Sequence, residues 1–139
     1  MRNVLAISLI AGFAACGRGT PPEPNPDVVT LPTTITLKVG ESRTVSGVVV
    51  RFAEVKSDSR CPADVTCVWQ GNAELMFVLG PAVGEGPARV VMLNTGVDPR
   101  VGGALGLQLT LVNLAPGPVS TTPTIGYRAE VRIERAPAP

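Results

Sequence analysis

A two-residue hydrophobic alternation recurs along this chain with no helical period beside it, and that pattern limits the fold more than any other feature. Leu105, Leu107, Leu109 and Leu111 interleave with Gly106, Gln108 and Thr110. Ile35, Leu37 and Val39 alternate within 33–39, and Leu75, Phe77 and Leu79 within 73–79. Near the C-terminus, Tyr127, Ala129, Val131 and Ile133 alternate with Arg128, Glu130, Arg132 and Glu134. Successive side chains of a strand point to opposite faces, so such stretches read as strands. The charged set in the last stretch reads as a solvated face whose opposite signs compensate one another. Residues 89–94 form a further strand after the turn-rich Gly80, Pro81, Gly84, Gly86 and Pro87. Gly40 and Glu41 read as the turn of a hairpin between 33–39 and 42–55. Gly47 sits where the apolar parity shifts after Val45, as a bulge would. Met76 and Val78 make both faces of 73–79 apolar, the pattern of a central strand covered on both sides.

Six to eight short strands with Gly/Pro turns predict an all-β chain: an antiparallel β-sandwich, immunoglobulin-like, over residues 28–136, with a small β-barrel as the alternative. LKVGESRTV, Leu37 to Val45, resembles the opening hairpin of bacterial immunoglobulin-like domains. At 139 residues there is length for one domain. Aromatic residues make up only 4%, and beyond Phe13 they are Phe52, Trp69, Phe77 and Tyr127, so the core has to rest mainly on Val, Leu and Ile.

Residues 1–15 read as an export signal. Arg2 gives a positive start and Val4 to Ala15 is apolar apart from Ser8 and Gly12, far short of the ~20 apolar residues that span a bilayer. Ala14 and Ala15 precede Cys16, and there the stretch resembles the bacterial lipobox, with Phe13 where Leu is usual. The resemblance implies a lipid on Cys16 and a membrane partner through that anchor. Gly17 after the cysteine, where an inner-membrane retention signal has Asp, implies the outer membrane facing the periplasm. The alternative is ordinary signal cleavage near Ala14 or Ala15, leaving a secreted or periplasmic soluble protein. Residues 17–26, GRGTPPEPNP, favour extended polyproline II, so 16–27 forms a tether roughly 30 Å long. Three cysteines in an exported chain leave one over, and lipidation of Cys16 resolves the count by freeing Cys61 and Cys67 to pair.

The least generic segment is Asp58 to Ala73, DSRCPADVTCVWQGNA. It resembles a family of uncharacterised bacterial exported proteins and lipoproteins marked by Cys-Pro, a short turn and Cys-Val-Trp-x-Gly. The resemblance extends to Leu105–Pro118 and to the Tyr127 strand, and implies location and fold without an assigned activity. Pro62 stiffens the turn, Cys61 and Cys67 close it, and Trp69 beside the disulfide reads as a core plug in preference to a ligand-stacking residue. Asp58, Arg60 and Asp64 read as turn residues or as an Arg-carboxylate pair that fixes the loop; with Pro62 and Trp69 they are also the candidate interaction loop.

Composition narrows the chemistry. Without histidine the chain lacks the commonest general acid/base and metal ligand, and two thiolates alone are too few for a zinc site. No cofactor is implied. Removing Arg2 with the signal leaves 11 basic against 11 acidic residues, which gives no electrostatic footprint for nucleic acid. Ser42, Ser46, Ser57, Ser59 and Ser120 have no evident base, and the glycines lie at β-turns and open no helix. The favoured expectation is a non-catalytic envelope lipoprotein whose β-domain binds or scaffolds an envelope partner. The alternatives are a secreted protease inhibitor presenting the Cys61–Cys67 loop, and a hydrolase using carboxylates such as Glu54, Asp58 and Glu74.

Overall fold

The computed structural model describes residues 28–29 and 31–138, so the expected signal at 1–15, Cys16 and the tether to residue 27 lie outside the described residues. Nine strands run in chain order: β1 Val28–Val29, β2 Thr33–Lys38, β3 Ser42–Val45, β4 Val48–Asp58, β5 Ala73–Pro81, β6 Arg89–Asn94, β7 Val101–Ala104, β8 Leu107–Ala115 and β9 Arg128–Arg135. They form two sheets, ordered β1-β3-β4-β5-β6 and β2-β9-β8-β7. All pairings are antiparallel except that of β1 with β3. The molecule is an antiparallel β-sandwich. Its two sheets do not close into a barrel, which removes the alternative architecture. It is immunoglobulin-like in its paired layers, while its connectivity is a β3-to-β6 meander facing a β7-to-β9 meander to which β2 is added.

The alternation explains the packing. Val50, Phe52, Leu75, Phe77, Leu79 and Leu93 from one sheet meet Leu37, Leu109, Leu111, Val131 and Ile133 from the other, all buried. Phe52 and Phe77 are cross-strand partners stacked with centroids 5.1 Å apart, so half of the few mature aromatics sit in one pair at the centre. Glu74, Met76 and Val78 on the outer face of β5 are only half-buried. The strand is therefore central in its sheet but covered on one face, not both.

Three local expectations are corrected. The segment 33–39 does not form a hairpin with 42–55: β2 pairs with β9, and Gly40-Glu41 carries the chain from one sheet to the other. Gly40 N–H donates to the Phe52 carbonyl (2.7 Å) and Phe52 N–H to that of Glu41 (3.0 Å), so the crossing is pinned to β4. The parity shift at Gly47 is a turn and not a bulge. Ser46 (φ 47°) and Gly47 (φ 81°) are both left-handed, the type I′ geometry that closes a two-residue hairpin between Val45 and Val48. The bulges of β4 lie further on, between Phe52 and Glu54 and between Val55 and Ser57. Leu105 does not extend the leucine face either, since with Gly106 it forms the second such turn, between β7 and β8.

Candidate functional site

The ladder between β4 and β5 does not stop at its last strand pair, Asp58 and Ala73. Ser59 N–H donates to the Asn72 carbonyl (2.7 Å) and Cys61 N–H to that of Gln70 (2.8 Å), which carries the two arms outward as far as a disulfide between Cys61 and Cys67, Cα atoms 5.9 Å apart. Pro62 opens the enclosed turn, its carbonyl accepting from Val65 N–H (3.3 Å). Gly71, the glycine of the Cys-Val-Trp-x-Gly motif, has φ +70°, and a Cβ there would overlap the Ser59 carbonyl. Its identity is set by the close approach of the two arms.

Below the disulfide lies a buried clamp. Arg60 binds Asp58 in bidentate fashion, Nε to Oδ1 at 2.9 Å and Nη2 to Oδ2 at 2.7 Å, with side chains only 14% and 8% exposed. Its remaining reach goes to carbonyls at the end of β8 and just beyond, Leu114 (2.6 Å) and Pro116 (2.8 Å). Asp58 also accepts from Arg60 N–H (3.1 Å) and from the Tyr127 hydroxyl (3.0 Å). One ion pair thus ties the end of β4 to the end of β8 and to Tyr127, the residue before β9, in the opposite sheet. Burial pushes the Asp58 carboxyl up, but the hydrogen bonds and charge of Arg60, helped by Tyr127, outweigh it and hold the group below its ordinary value. Burial, and then the hydrogen bond and charge of Asp58, raise the Tyr127 hydroxyl. Of the readings open to Asp58 and Arg60, the pair that fixes the loop is the one observed.

A second tie holds the tip. Asp64 accepts from Ser120 N–H (2.8 Å) and from the Ser120 hydroxyl, and Ala63 N–H donates to the Pro118 carbonyl (2.9 Å). The Ser120 contacts, hydroxyl first, lower the Asp64 carboxyl. Pro62, Asp58, Arg60 and Asp64 are therefore all engaged in holding the loop.

Trp69 is not a core plug. It is 82% exposed and its neighbour Val68 is 94% exposed. With Val97 they border an open groove of about 520 Å³ lined by the polar Ser59, Gln70 and Asn72 and by Gly71 and Gly96. Its floor is fixed by Asn72, whose side chain donates to Asn94 Oδ1 (2.8 Å) and accepts from Gly96 N–H (2.9 Å). Val68, Asn72 and Val97 are members of this surface that sequence reasoning missed. One signal for Val68 and Trp69 was available: a disulfide six residues apart makes a loop too short to fold its own outer arm back into a core.

The remaining candidates are dispersed. Glu54 lies opposite Met76 and bonds Lys56 (3.1 Å), whereas Glu74 lies opposite Ser57, so the two carboxylates are not cross-strand partners. The Ser59 hydroxyl donates to the Asn72 carbonyl (3.0 Å). Among the described residues no three His, Cys, Asp or Glu side chains group as metal ligands, and no helix is long and apolar enough to cross a membrane. The chain matches no family model, no curated protein and no solved structure.

Proposed function

We propose that this protein is a non-catalytic envelope lipoprotein, anchored through Cys16, whose stapled loop is its contact with another envelope component. One observation carries the reading: the only tryptophan of the chain stands in solvent on a loop held by a disulfide, a buried ion pair and an Asp-Ser tie. Exposing a large aromatic has a cost in solubility, and holding it rigid lowers the entropy lost on binding; together these are the marks of a recognition anchor. Residue 68 replaced by a photo-crosslinkable amino acid in cells should give a discrete adduct that disappears in a Trp69→Ala background. Diffuse labelling, or an adduct indifferent to Trp69, would remove the proposal. The anchor has its own test: the mature N-terminal peptide should carry an acyl mass on Cys16, and an unmodified one would leave a soluble exported protein.

A second reading is supported by the exposure of 63–70 on a closed loop: a protease inhibitor presenting Cys61–Cys67. A panel of secreted serine and cysteine proteases should then include one inhibited stoichiometrically without release of loop fragments. Cleavage of the loop at substrate rates, or no effect on any, would discard it.

A further inference from the structure

A second surface, apart from the stapled loop, has a chemistry of its own. Lys38, the last residue of β2, is the direct cross-strand partner of Arg128, the first residue of β9. Two like charges placed opposite each other destabilise a sheet unless something negative lies between or above them. The ion pairs of the described residues are Arg43 with Glu41, Lys56 with Glu54, Arg60 with Asp58 and Arg132 with Glu134, and none involves Lys38 or Arg128. Glu41 accepts the Lys38 backbone N–H (2.9 Å) and faces Arg43, while Glu130, two residues along the same face of β9, lies opposite Thr36 and pairs with neither cation. The alternating charges of β9 thus compensate one another at Arg132 and Glu134 but leave Arg128 facing a cation.

Between these cations runs an open groove of about 590 Å³, completed by Val39, Thr124, Ile125, Gly126 and Tyr127. It is within the size range of small-molecule sites. Ile125 is 79% exposed and Val39 45%, so apolar surface lies uncovered beside the two charges. Among the described residues no carboxylate lines it. The Tyr127 hydroxyl donates to Asp58 (3.0 Å), so its proton is already engaged.

We propose that this groove binds an anionic amphiphile, its phosphate or carboxylate headgroup between Lys38 and Arg128 and its alkyl chain along Val39, Ile125 and Tyr127. The headgroup relieves the repulsion across the β2–β9 pair, and the chain covers the two exposed aliphatic residues. Neither a bare anion nor a neutral chain satisfies both halves. The proposal does not rest on the stapled loop having a partner, although Tyr127 both lines the groove and serves the clamp beneath that loop.

The test is a titration of the isotopically labelled full chain, with backbone amide shifts read at Val39, Ile125, Gly126 and Arg128. Monomeric dodecyl phosphate should shift these amides saturably, at least about tenfold more tightly than inorganic phosphate or dodecyl maltoside. Phosphatidylglycerol vesicles form a separate arm: selective broadening of the same amides there identifies a bilayer headgroup as the source, and a response to the monomer identifies a free amphiphile. Lys38→Glu and Arg128→Glu, both at exposed positions, should each weaken binding by about tenfold or more with core amide shifts unchanged. No response to either anionic probe, an equal response to phosphate or to maltoside, or indifference to both charge reversals would overturn the proposal.

Discussion

Burial alone would drive the Asp58 carboxyl toward its neutral form, yet Arg60 and Tyr127 keep it ionised, so the clamp beneath the stapled loop depends on pH. Its native pKa lies below the ordinary aspartate value of about 3.9, so its stabilisation is present above about pH 4 and is lost as pH falls through the native value. Tyr127 has the opposite sign. Its native pKa is raised, so its contribution is intact below the ordinary tyrosine value of about 10 and is lost as pH rises through the native one, when two anions would face each other. Urea unfolding across pH should show both limbs. Asp58→Asn should flatten the acid limb and, by leaving the Arg60 guanidinium without its buried counter-charge, cost about 3 kcal/mol at pH 7. Survival of the full acid limb in that variant would show that other carboxylates set it. Gly71→Ala should cost over about 1 kcal/mol, because its new methyl group would have to displace the Ser59 carbonyl and with it the outer ladder. An unfolding midpoint equal to that of the parent chain would refute this account of the motif glycine.

At the scale of strands and turns, the same alternation that was legible in the sequence fails where glycine or a turn intervenes. The inner faces of β5 and β9 were readable because Leu75, Phe77 and Leu79, and Val131 and Ile133, hold strict parity and are all buried. β7 was not readable. Its sequence is Val-Gly-Gly-Ala, and a Cβ at Gly102 would come within 2.8 Å of Val91 Cγ1, so the strand reaches its position by lacking the side chains that reveal strands. Leu105 misled for the opposite reason, continuing a leucine period into a turn that demands left-handed backbone. Leucine there is strained by roughly 1–2 kcal/mol, and asparagine tolerates the conformation far better. Leu105→Asn should therefore raise stability by about 0.5–1 kcal/mol in denaturant melts, and a loss would mean that the partly exposed leucine packs more than it strains. Trp69 was misleading because a lone tryptophan in an aromatic-poor chain is ordinarily core, whereas here the Phe52–Phe77 stack, a product of register, occupies the centre.

Across the whole molecule, exposed apolar side chains are unevenly placed. The loops after β4, β6 and β8, together with the end of β2, lie at one end of the sandwich, tied to one another by Arg60, Asp64, Asn72 and Tyr127. That end carries Val39, Val65, Val68, Trp69, Val97, Val119 and Ile125, all exposed. A sandwich that buries its core between two sheets has no folding reason to concentrate apolar side chains on its loop tips. The disulfide also bears on stability. A loop of this length constrains the unfolded chain by roughly 2–2.5 kcal/mol, so Cys67→Ser should lower the unfolding free energy by about that amount, and a change near zero would mean that the clamp and the Asp64 tie hold the loop unaided. If Trp69 serves recognition and not folding, Trp69→Ala separates the two roles with two readouts on one variant: unfolding free energy, and crosslinking from position 68 in cells. Stability should stay within about 0.5 kcal/mol of the parent and the discrete adduct should be lost. A stability loss of several kcal/mol, or an adduct that persists, would contradict the recognition role.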